Sequence, residues 1–214
     1  MSDNTREVAL VGFEIAAQLL FPGAGGTMAN FARACGNIAI SRAQKILIDE
    51  IKKGNIDKLS DKDKEKLIPV GYQFYTAVMT GSSERNLRIL AKLMSGMVDN
   101  TDINPDKYSI ISHAIRDLSG HDLVILSCYA RYVRENISDK VKHINEFIDN
   151  EAARIDEYFK DKNNIRSSKA ILSSRGWIIP ENDIWDVGNS YQPSKLVDNI
   201  IDLDILSTIK ETPR

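Results

Sequence analysis

The chain is poor in the residues that staple or metallate small folds. Of its 214 residues two are cysteine and three are histidine. Cys35 and Cys128 both fall among apolar neighbours on predicted helices, where a reduced thiol acts as a small hydrophobe, so a disulfide framework is not expected. His113, His121 and His143 lie on three different predicted helices, without the short paired spacings that zinc sites use. No metal or other cofactor is therefore expected. Charge of one sign is also missing: 28 basic residues face 30 acidic ones, for a formal charge of -2. That balance excludes a wholesale electrostatic claim on nucleic acid, which makes nucleic acid an unlikely partner. Residues 1–7 are polar and acidic rather than basic, so no secretory leader is expected and a cytoplasmic location is the default.

Catalytic motifs are equally scarce. No G-x-S-x-G elbow occurs, and the carboxylates are scattered along helix faces without an acid–base pair in an apolar setting. The glycine-rich turn Phe21-Pro22-Gly23-Ala24-Gly25-Gly26 lacks the Lys and hydroxyl that a phosphate loop places after its last glycine. It reads instead as a tight connection between two helices. The expectation is a protein that is not an enzyme.

What is present is helical patterning in a composition of ordinary globular type, 43% hydrophobic and 27% charged. Residues 5–54 form an apolar helical hairpin, whose first arm carries Val8, Val11, Ile15 and Leu19 on one side and Leu10, Phe13, Ala17 and Leu20 on another. Neither arm reaches the ~20 uninterrupted apolar residues needed to cross a bilayer, because Glu14, Gln18 and Arg33 interrupt them. Gly54 supplies the stop. Residues 60–136 form a helical core. Ser60 caps its first helix, which starts there or at Pro69 and is closed by Gly81. Three start signals follow: Ser82 and Ser83, Asn104 before Pro105, and Ser119 three residues before Asp122. Residues 138–162 read as one long amphipathic helix capped by Ser138, with the stripe Val141, Ile144, Ile148, Ala152, Ile155 and Phe159. Residues 163–214 change character: a short helix near Ile171 and Leu172, strands at 176–180 and 184–187, then a final helix from Pro193 through Leu203 to Ile209.

The stretch Ser83-Glu84-Arg85-Asn86-Leu87-Arg88-Ile89-Leu90-Ala91-Lys92-Leu93-Met94 and the later Ile115-Arg116-Asp117-Leu118-Ser119-Gly120-His121-Asp122-Leu123-Val124-Ile125-Leu126 resemble the bacterial helical proteins grouped as Abi-alpha, associated with abortive infection. Arg175-Gly176-Trp177-Ile178 is a further echo. The resemblance covers about a third of the chain. It implies a helical protein associated with phage defence or a mobile element, with no catalytic residue to carry over.

The sequence thus predicts a mainly α fold: an irregular multi-helix bundle over 1–162 with a small C-terminal α+β module, winged-helix-like, over 163–214. The expected function is non-enzymatic contact with a protein partner and with further copies of the chain as a homo-oligomer. The candidate interaction surface is Phe13, Leu20 and Phe31 on the hairpin with Arg85, Arg88 and Lys92 on the helix after Ser83. The alternatives are peripheral attachment to, or insertion into, a membrane through residues 8–40, and a DNA-binding regulator acting through the tail. Against the last, the final helix carries Asp198, Asp202 and Asp204.

Overall fold

A computed structural model describes residues 39–47, 49–50, 59–135, 144–181, 191–203 and 205. The fold is mainly helical, with one small two-stranded antiparallel sheet near the C-terminus. Phe13, Leu20, Phe31, the Gly54 stop, the Ser138 cap and the strand expected at 184–187 lie outside the described residues. The chain divides into two compact units, Met1–Asp117 and Leu118–Arg214.

In the first unit, α1 (Asp61–Met79), α2 (Glu84–Asp99) and α3 (Pro105–Ile115) pack against one another. Each begins at a side-chain cap. Ser60 accepts from the Asp63 N–H, Ser83 from Asn86 and Asn104 from Lys107, satisfying amides the first helical turn leaves without partners. Helix α1 starts at Asp61, not Pro69: the proline is inside the helix. It is tolerated because Pro69 and Glu65, whose carbonyl loses its partner to the ring, are both exposed, so water can bond that carbonyl. Helix α2 is buried around most of its surface: beside the stripe Leu87, Leu90, Ala91, Met94, Met97 and Val98, Ile89 and Leu93 are also buried, and the core takes in Phe74, Tyr75 and Val78 of α1 and Tyr108, Ile111 and Ile115 of α3. Residues 39–47 and 49–50 are helical as well. Ala43, Ile46 and Leu47 are buried, and the Glu50 carbonyl accepts from Ser95 Oγ at 3.0 Å.

Helices α1 and α2 end alike. The Ser82 and Gly81 amides reach back to Ala77 and Val78, and the Asp102 and Thr101 amides reach back to Met97 and Val98. This closure needs a left-handed residue, supplied by Gly81 at φ 83° but by Thr101 at φ 52°. A β-branched residue pays about 1–2 kcal/mol there. Thr101→Gly is therefore expected to raise stability by about 0.5–1 kcal/mol, after subtracting glycine's greater unfolded-state entropy, read as a higher urea midpoint at unchanged slope. Helix α3 closes differently. Asn86 on α2 donates from Nδ2 to the carbonyls of Ile115 and Arg116 at 3.0 and 2.9 Å, so a side chain from another helix covers its C-terminal end.

The second unit holds α4 (Gly120–Arg134), α5 (Ile144–Ile155), α6 (Lys162–Ser174), β1 (Ile178–Pro180) and β2 (Tyr191–Pro193). Helix α4 starts on a complete capping box between Ser119 and Asp122 and packs against both α5 and α6. The helix expected to run through 162 ends early. Helix α5 stops at Ile155, a 3-10 turn spans Glu157–Lys160, and α6 begins afresh. Two aspartates make the break: Asp156 accepts from the Tyr158 amide and Asp161 from the Asn163 amide, bonds that replace helical ones. Gly176 at φ 78° turns the chain from α6 into buried Trp177 and β1. Pro193 closes β2 instead of opening a helix, and the turn after it is the short 3-10 segment Val197–Asn199. Register pairs Ile178 with Pro193 and Pro180 with Tyr191. Both strands are edges, where proline's missing N–H is harmless.

Candidate functional site

The basic residues singled out on α2 are not a free cationic stripe. Arg88 donates to Glu84 one turn earlier at 3.1 Å, and Arg85, Arg88 and Lys92 are all half-buried. Such a pair contributes a few tenths of a kcal/mol to a helix. Of the histidines, His113 bonds the Ser109 carbonyl through Nδ1 at 2.8 Å, and His143 lies outside the described residues. His121, at the start of α4, stacks on Tyr158 with ring centroids 3.8 Å apart and has Nδ1 3.3 Å from Asp156 Oδ2. It thus ties the α5–α6 connector to α4. Among the described residues, no group of three or more His, Cys, Asp or Glu is placed to hold a metal ion.

The second unit also encloses a polar cluster that the sequence did not advertise. The Lys169 side chain is 4% exposed, and its Nζ lies 2.6 Å from Asp149 Oδ1 and 3.2 Å from Asn145 Oδ1. Asn145 Oδ1 also accepts from the Tyr191 amide at 3.2 Å. One lysine on α6 is therefore held by two residues of α5, one of which also anchors β2. The Tyr129 hydroxyl of α4 is buried within electrostatic reach of Asp149, and burial first, then that carboxylate, raises its pKa.

At the far end of α4 charges alternate. Arg131 bridges Glu135 at 3.0 Å and Glu151 at 2.8 Å, and Arg154 holds Glu151 at 2.9 Å. The guanidinium of Arg154, with Arg131 behind it, holds the Glu151 carboxyl below the usual range. A cleft of about 80 Å³ opens beside them, lined by Cys128, Arg131, Arg134 and Glu151 and by the apolar Ile155, Ile201 and Leu203. Burial, reinforced by Glu151, pushes the Cys128 thiol up to about 12. At neutral pH that sulfur is protonated and a poor nucleophile.

No family model, curated protein or solved structure matches this chain. The reading of its sites therefore stands on its own geometry. The remaining outward features are apolar side chains and one helix face. Ile68 and Tyr72 on α1 are 66% and 53% exposed, and Ile110 on α3 is 60% exposed. On α6, Ile165, Ser168, Lys169 and Leu172 point inward while Lys162, Asn163, Arg166, Ser167, Ala170, Ile171 and Ser174 are exposed. No helix among the described residues is long and apolar enough to cross a membrane.

Proposed function

We propose that this chain works by protein–protein contact, self-association included, and not by catalysis. The observation that carries the reading is the set Ile68, Tyr72 and Ile110. Two of them stand one turn apart on α1 and the third on α3, which packs against α1. Single exposed apolar residues are commonplace, but several large ones on neighbouring helices are the usual mark of a surface that another protein covers. The over-apolar residues 8–40 of the sequence support the same reading. The Abi-alpha resemblance supports a bacterial phage-defence or mobile-element setting, and a cytoplasmic location belongs with it.

The test is the solution mass of the full chain across a concentration series, for the wild type and for Ile68→Glu/Tyr72→Glu/Ile110→Glu. The wild type is expected to exceed its monomer mass and the triple variant to fall back toward it, with helical circular dichroism unchanged in both. A wild type that stays monomeric, and captures no partner through these residues, defeats the proposal. Flotation with liposomes separates the membrane alternative, which requires lipid association lost on deleting residues 1–40.

A further inference from the structure

We infer that the outer face of α6 is a contact surface for the phosphate backbone of duplex nucleic acid. This rests on observations in the second unit alone and is independent of the protein-contact reading, whose residues lie in the first.

The order of elements is the first support. Helix α4 packs against both α5 and α6, a turn joins α5 to α6, and α6 leads through Gly176 directly into the ribbon of β1 and β2. That is the order of a helix-turn-helix followed by a wing, in which the second helix of the pair faces the nucleic acid.

Charge is the second. The thirteen residues of α6 contain no Asp or Glu. Its outer face begins with Lys162 and Arg166, one turn apart and both exposed. Neither Lys162 nor Arg166 has a carboxylate within ion-pair distance among the described residues, although the charge of Asp161, which caps the helix through the Asn163 N–H, offsets part of the positive field beside Lys162. Several other outward cations of this unit are paired with carboxylates: Arg131 with Glu135 and Glu151, Arg154 with Glu151, and Lys160 with Glu157. Lys195, after β2, is exposed as well, but Lys162 and Arg166 stand one turn apart on one helix face, in a protein whose total is -2.

Side-chain size is the third. Ser167, Ala170 and Ser174 keep part of the same face low beside the half-exposed Ile171, so a phosphate chain can approach the helix near Lys162 and Arg166, with the Asn163 side-chain amide available as a further donor. The acids counted against a nucleic-acid surface, Asp198, Asp202 and Asp204, all follow β2 in the sequence. Glu181, Asp183 and Asp186, which lie between the two strands in the sequence, add negative charge that phosphate avoids. Contact is thus confined to α6, and the binding it supports is weak, not sequence-reading, and steeply dependent on salt.

The test uses the full chain and fluorescence anisotropy of a labelled mixed-sequence duplex DNA over a salt series. Two neutralised phosphates give a slope of log affinity against log salt of about -2. Lys162→Glu/Arg166→Glu is expected to weaken binding at low salt by at least about tenfold and to lower that slope by about two. Arg134→Glu, also a charge reversal on this unit, leaves both unchanged. Thermal melts of each variant establish that it is folded. Absence of salt-sensitive duplex binding by the wild type overturns the inference, as does a folded double variant that binds like the wild type. Vesicles rich in phosphatidylserine that bind through Lys162 and Arg166 where duplex does not would assign the face to a lipid surface and overturn it equally.

Discussion

Asp149→Ala is expected to destabilise the protein by about 2–4 kcal/mol, whereas Lys169→Met is expected to cost under about 1 kcal/mol or to raise stability. The two residues form one ion pair, 2.6 Å apart, yet their removal has unequal consequences. The lysine is 4% exposed. Without Asp149 its ammonium stays inside the unit with only the Asn145 carbonyl oxygen, at 3.2 Å, to compensate for lost hydration. Without the lysine, no buried charge remains, and methionine fills the same space with a flexible apolar chain. The figure for Asp149 is set at the lower part of the range for buried pairs because its own side chain is 38% exposed and partly screened by water. Urea unfolding of both variants with slopes compared to wild type checks this. Equal losses in the two would mean that the pair contributes net attraction, contrary to the argument.

Trp177→Ala is expected to cost about 3–5 kcal/mol, a large part of the roughly 5–15 kcal/mol that holds a domain together. The indole is fully buried. Its position also joins three elements: its amide donates to Leu172 at the end of α6, its carbonyl accepts from Ser194 just after β2, and Ile178 behind it opens β1. Ser194 reinforces the joint by donating its hydroxyl to the Gly176 carbonyl at 2.6 Å. The variant loses packing area and leaves a cavity where helix and ribbon meet. Trp177→Phe retains most of the volume and is expected to lose less than half as much. Thermal unfolding followed by far-ultraviolet circular dichroism reads both. A melting temperature for Trp177→Ala within a degree or two of wild type would contradict this account.

The helix starts were legible because capping is local. Ser60, Ser83, Asn104 and Ser119 each bond an amide three residues ahead, so a short stretch of sequence contains both partners. The break inside 138–162 was missed although its cause is also local. The apolar stripe runs on through Phe159 without a phase error, and only Asp156 and Asp161, ordinary surface residues by pattern, turn the backbone aside. Strand β2 was not legible because Tyr191-Gln192-Pro193 is too short to alternate and is fixed by its partner β1 and by Asn145, 46 residues earlier. The Lys169 cluster was invisible for the same reason, as Asp149 and Asn145 lie 20 and 24 residues away. The acid-free run of α6 was plain to see, but counting charge over the whole tail averaged it with the aspartates that follow. Of the six residues nominated as a surface, Arg88 is paired within its own helix and half-buried.

The amide of Asn86 has a consequence in time as well as in space. Because it supplies the donors for the last carbonyls of α3, the final turn of that helix is complete only once α2 is docked. Opening of the first turn of α2 and fraying of the end of α3 are then one event. Amides near Ile115 and Arg116 should trade hydrogen for deuterium at the rate of those near Leu87, at a free energy well above the usual fraying of a helix end.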